Sequence, residues 1–243
     1  MNEFLTVIAL ASLPAIGNFA GGLLAEGIDV SRRSLSLALH AAAGILMAVV
    51  GVELMPQALQ AQPSWIVVLA FAAGGGFYIL VDESIKYLEA RYSSKSGTAG
   101  AWVIFFGVSV DLFSDGVMIG AGSTIDLSLG LLLALGQVSA DLPEGFALTA
   151  DFKHQGLSRA KRLLVSAFFM VPVYLGATLG YWIVRDEPQV VKLSLLAFTA
   201  GILITLVVEG MMPEAHQIED ARLSALVFVL GFALFTLLSL YLG

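Results

Sequence analysis

No cysteine occurs anywhere in the 243 residues, which excludes disulfides and removes thiolate from any scheme of metal ligation. Charge is scarce as well: 13% of residues are charged, against roughly a quarter in a soluble domain. Long polar stretches are missing. The longest runs from about Glu89 to Gly97 and ends in Ser93-Ser94-Lys95-Ser96-Gly97, which reads as a flexible linker. With so little polar surface the exterior cannot face water on all sides, so most of it faces lipid.

What is present is apolar. Hydrophobic residues make up 58% of the chain and the mean hydropathy is +0.89. Runs of about 20 apolar residues cross a bilayer. Eight such runs stand at about 3–24, 35–59, 64–85, 99–122, 127–150, 162–184, 191–212 and 222–242. They predict an all-α integral membrane protein of eight transmembrane helices, forming a single transmembrane domain over residues 1–243. The first run ends in small residues like a signal peptide, but it opens on Met1-Asn2-Glu3, acidic where a signal peptide is basic. It reads as a retained helix.

Positive charge orients the chain. Ten of the 12 Lys and Arg residues fall in the loops after spans one, three, five and seven; Arg185 and Lys192 alone fall on the other side. Basic residues in short loops stay cytoplasmic, so both termini are expected outside the cytoplasm, in a cell or inner membrane. Two internal echoes suggest duplication. Val52-Glu53-Leu54-Met55-Pro56 closes span two, and Val208-Glu209-Gly210-Met211-Met212-Pro213 closes span seven. Phe113-Ser114-Asp115-Gly116 in span four echoes Leu142-Pro143-Glu144-Gly145 in span five. The pairing predicts an inverted 3+2+3 repeat, a transporter plan with its site at the repeat interface.

The acids inside these spans carry the chemistry. Asp111 and Asp115 are four apart, one turn apart on one helical face, in the middle of an apolar run. Each costs roughly 2.5–3.5 kcal/mol there on insertion scales, and the two repel unless a cation or proton lies between them. Gln137, Asp141 and Glu144 share a face of span five. Pro143 in the same turn cannot donate to the carbonyl of Ser139, and a bound cation is one candidate partner for that oxygen. No Lys or Arg lies in the interior of the apolar runs to neutralise these acids; Arg162, Lys192 and Arg222 stand only at their edges. Protons or metal ions remain, and carboxylate oxygens suit hard or borderline divalent cations. Glu53 and Glu209 read as pathway residues, each followed closely by proline. His40 and Met47 share a face of span two, where both could ligate a softer ion, although packed side chains are the plainer reading; His216, with Glu214 and Glu219 near the cytoplasmic mouth, reads as a solvated loop cluster, and His154 as an ordinary loop residue.

The pattern resembles the ZIP family of divalent-metal transporters, whose eight core helices place both termini outside. That family carries His-Asn-x-Pro-Glu-Gly on its fourth helix and His/Gln-Glu/Asp-x-Pro-Glu-Gly on its fifth. Ala140-Asp141-Leu142-Pro143-Glu144-Gly145 matches the fifth-helix motif in all but its first position. Asp111-Leu112-Phe113-Ser114-Asp115-Gly116 stands in the place of the fourth-helix motif, with Asp111 for the histidine, Leu112 for the asparagine, Ser114 for the proline and Asp115 for the glutamate. Val171 precedes Pro172 where a further glutamate is often found, and the histidine-rich loop of some members is absent. The resemblance implies a site able to hold two metals, bridged by residues that correspond to Asp115 and Glu144. The departures leave an all-oxygen set with fewer ligands for a second metal. That shifts weight toward manganese or iron(II) without excluding zinc.

The expected function is therefore transport of a divalent metal toward the cytoplasm. Asp111, Asp115, Asp141, Glu144, Gln137 and Glu209 are the candidate ligands, with the metal as substrate and no organic cofactor. The partners are the lipid bilayer and metal ions, not nucleic acid; monomer and homodimer both stay open. A proton- or sodium-coupled carrier of another small solute and a non-transporting metal-binding protein are the alternatives. An intramembrane enzyme is disfavoured, since neither His-Glu-x-x-His nor a nucleophile with its base is present.

Overall fold

A computed structural model describes the backbone of residues 3–28, 31–92, 97–216 and 221–242, and the side chains of these except 88–92, 97–104, 154, 214, 221 and 222. The expected linker at 93–96 and Glu219 lie outside the described residues, as do the side chains of His154 and Glu214. Among the described residues there are helices and no strand.

The helices are α1 (Glu3–Gly27), α2 (Arg32–Ala48, continued by Val49–Leu54 and Met55–Ala58), α3 (Ser64–Tyr92) and α4 (Gly97–Ser123). They are followed by α5 (Leu127–His154), α6 (Arg159–Phe168 and Met170–Val184), α7 (Gln189–Thr205, continued by Leu206–Met211 and Met212–Ala215) and α8 (Ala221–Leu242). Seven of these are long and apolar enough to cross a membrane. The remaining one is α5, whose own polar residues, Gln137, Asp141 and Glu144 among them, lower its hydropathy. Its 28 residues are still ample to span a hydrocarbon layer. The chain is thus an all-α integral membrane protein.

Most helices overrun the apolar runs. α3 continues through Lys86 to Tyr92 and α6 starts at Arg159, because a helix extended past the lipid still satisfies its backbone groups where polar side chains reach water. Lys86 pairs with Asp82 one turn earlier, 2.5 Å away. The buried Arg162 binds Glu26 of α1 and the carbonyl of Leu157. Basic residues therefore do enter the helices, but these two are engaged with acids other than the four of α4 and α5.

Four helix pairs build the bundle: α1 with α5, α4 with α6, α3 with α7, and α2 with α8. Each is a close approach of backbones through glycine, where a side chain would collide with a carbonyl. Gly21 sits on Leu142 and Gly145 on Asn18; Gly116 sits on Val173 and Gly176 on Phe113. Gly74 sits on Phe198 and Gly201 on Phe71; Gly44 sits on Phe228 and Gly231 on Ala41. The register advances together in two of the pairs: Gly17 meets Val138 while Gly21 meets Leu142, and Gly116 meets Val173 while Gly120 meets Ala177. These two pairs are therefore parallel.

Exchanging α1 with α6, α2 with α7, α3 with α8 and α4 with α5 maps the four pairs onto one another. The exchange swaps helices of odd and even rank, which run in opposite directions across short loops. That is the inverted 3+2+3 relation predicted from the sequence. A second feature repeats it. Both α2 and α7 widen into six residues of π-helix, Val49–Leu54 and Leu206–Met211, just before Met55-Pro56 and Met212-Pro213. In both, the N–H of the methionine reaches five residues back, Met55 to Val50 and Met212 to Val207. Proline cannot make the regular bond, and a wider turn reassigns its neighbours' bonds.

Large apolar side chains exposed on the rim, such as Trp65, Leu80, Leu164, Ile183 and Leu240, form the lipid-facing surface. The buried core lies between α2, α4, α5 and α7.

Candidate metal-transport site

α4 and α5 cross at the centre of the bundle, and they bring the predicted acids together in two tiers. Deeper lie Asp115, Gln137 and Asp141, which are 2%, 1% and 1% exposed. Gln137 donates from Nε2 to Asp115 Oδ1, which leaves its own Oε1 without a partner. Oδ2 of Asp141 is likewise buried and unpartnered. Nearer the open side, Asp111 and Glu144 are half-buried, and Asp111 Oδ1 has no partner. Asp111, Asp141 and Glu144 all stand close enough to repel the carboxylate of Asp115.

The helix periodicity explains the tiers. Asp111 and Asp115 face one way from α4, and Gln137, Asp141 and Glu144 face them from α5. α5 runs unbroken through Pro143. Gly145, immediately after Glu144, lets α1 press against α5 at Asn18.

A cavity of about 280 Å³ opens beside Asp111 and Glu144. Its walls come from the C-terminal halves of α3, α5 and α7 and the N-terminal half of α4, with Leu39 from α2. All of these ends adjoin the loops after α1, α3, α5 and α7, and ten of the 12 basic residues fall in or beside those loops. Toward the opposite face, Met118, Ile119, Leu129, Leu132 and Leu133 are fully buried and fill the space with apolar side chains.

Several polar residues of this cavity escape a reading of the sequence. Asp82 and Asp151 lie at its mouth, and Tyr78 and Ser114 line it. The two acids sit where helices leave the apolar runs, so they pass for solvated helix ends. Asn18 on α1 is 1% exposed with neither amide atom partnered; its signal was a lone amide in an apolar run. Glu53 is buried and accepts from Ser239 of α8. Glu209 is exposed, on the π-turn of α7 next to Gly210, which lines the cavity. Met47 packs against the main core. Among the described residues, no three His, Asp or Glu side chains converge tightly enough to hold a metal ion.

Eight long helices with buried acids where α4 meets α5, beside a cavity, define a polytopic helical membrane protein. The family model described as ZIP Zinc transporter matches residues 86–239, more than half of the chain, and the chain belongs to that family. Among curated relatives, Zinc transporter ZIP6 of Homo sapiens is 27% identical over 133 residues, covering 55% of this chain and 18% of the relative. This chain therefore spans about a fifth of that protein's length. Zinc transporter ZupT of Shigella flexneri serotype 5b is 27% identical over 236 residues, covering 88% of this chain and 86% of the relative. ZupT of Escherichia coli O7:K1 matches to the same extent.

Proposed function

We propose that this protein carries a divalent metal ion across the membrane toward the face of the basic loops, the cytoplasm. Asp111, Asp115, Asp141 and Glu144 serve as ligands and Gln137 as a neutral oxygen donor. One observation carries the reading: buried oxygens of Asp111, Gln137 and Asp141 have no partner. Buried polar atoms are otherwise almost always satisfied. Without a cation, carboxylates repel and spread; an arriving ion draws them inward, displacing protons as it binds. The cavity, placed among the helix ends that carry the basic residues, supports a state open to that face, with apolar packing closed toward the other. Glu209 then stands as a pathway residue beside the cavity wall.

Direct uptake decides the matter. Asp115→Asn and Glu144→Gln, each reconstituted in proteoliposomes, are expected to abolish radiometal uptake while eluting as folded protein. Unchanged uptake in both would remove the proposal. The same vesicles settle the ion. The names of the related zinc transporters favour zinc, whereas an all-oxygen donor set favours manganese or iron(II), and competition among the three ranks them.

A further inference from the structure

His40 and His216 stand far apart in sequence, yet their rings pack edge to face with centroids 4.9 Å apart and planes at 69°. His40 is buried in α2; His216 is exposed at the end of α7. In both, Nδ1 lies against the carbonyl four residues back: 2.8 Å to Ser36 in His40, and 2.7 Å to Met212 in His216. A carbonyl can only accept, so Nδ1 carries the proton and Nε2 keeps its lone pair, the tautomer of a metal-binding imidazole. Nε2 of His40 is buried and has no partner. The two helices are also pinned at this level, because the Ser36 hydroxyl donates to the carbonyl of Ala215 at 2.5 Å.

We propose that His40 and His216 form a second metal site, an imidazole pair at the basic-loop face, separate from the carboxylates of α4 and α5. Two imidazoles on one tetrahedral zinc hold their ring centres roughly 5 Å apart, given Zn–N bonds of about 2.0–2.1 Å. The observed separation of 4.9 Å matches that spacing. Imidazole nitrogen selects borderline divalent ions such as zinc or cobalt, in contrast to the oxygen set deeper in the bundle. The exposed edge of His216 leaves the other coordination positions to water, which suits an ion in passage more than a structural metal. Leu39, the residue before His40, and Met211, five before His216, line the cavity. The pair is thus placed to receive an ion that leaves it; that role rests on the transport reading, whereas the binding itself does not.

Cobalt(II) tests the site through its visible absorption, using the full-length chain purified in detergent. Asp115→Asn combined with Asp141→Asn weakens the carboxylate set. That double variant is expected to keep a cobalt site with nitrogen character. Adding His216→Ala, a change at an exposed position, should weaken binding at least about tenfold. His40→Gln should do the same and serves as the second variant. Identical binding with and without His216→Ala overturns the proposal, as does a double variant that binds no cobalt. Loss of uptake in Asp115→Asn alone bears on the carboxylates and leaves this result separate.

Discussion

Asp126 illustrates how single residues act outside the membrane. It caps the N-terminus of α5, accepting from the amide and hydroxyl of Ser128, each at 2.7 Å. The hydroxyl, and then the amide, hold its carboxyl below the usual carboxylate range. A group with a lowered folded value adds stability above its unfolded value and loses it as pH falls through the folded one. Asp126→Ala is therefore expected to cost about 1 kcal/mol near neutrality. The gap in melting temperature between it and the parent should narrow as the pH is taken below the carboxylate range. A gap that widens in acid would contradict the cap. Inside the bundle the same residue type stands in different surroundings, because Asp115 and Asp141 are sealed from solvent among packed helices. Asp141 keeps an unpartnered oxygen and Asp115 accepts from Gln137; on the proposed cation site, Asp115→Asn is expected to end uptake without unfolding the protein.

At the level of helices, the bundle depends on glycine crossings. A methyl group at Gly145 would meet the backbone carbonyl of Asn18, whereas one at Gly76 on α3 meets nothing within 4 Å. Gly145→Ala should destabilise the protein by roughly 1–3 kcal/mol, the usual cost of overpacking, since backbone cannot swing aside. Gly76→Ala should be neutral or slightly stabilising in the same thermal assay. The π-turns of α2 and α7 are the other shared device. Each precedes a proline and each carries a glutamate, but Glu53 is three residues before Pro56 and Glu209 four before Pro213. On a helix that one-residue offset is a rotation of about 100°. It turns Glu53 into the bundle toward Ser239 and leaves Glu209 exposed. The echo in the sequence was real, yet the two acids face different surroundings.

Across the whole molecule, the absence of cysteine offers a clean test of which side the cavity opens to. Ser114→Cys lies in its wall and Gln155→Cys marks the loop after α5. A membrane-impermeant thiol reagent is expected to label both from the same side of a sealed vesicle, and neither from the other. Labelling of Ser114→Cys from the side opposite Gln155→Cys would reverse the assignment. Much of this architecture was legible beforehand. Hydropathy alone determined that the chain is helical and membrane-embedded, because a backbone in lipid must satisfy its own hydrogen bonds within each segment. Helical spacing placed Asp111 with Asp115, and Gln137 with Asp141 and Glu144, because residues four apart share a face. Spacing carries no information about which faces meet. Only the packing of glycine-faced helices decided that Asp115 and Asp141 are sealed while Asp111 and Glu144 border a cavity. The same packing put Asp82 and Asp151 at its mouth, and set His40 against His216 from opposite ends of the chain.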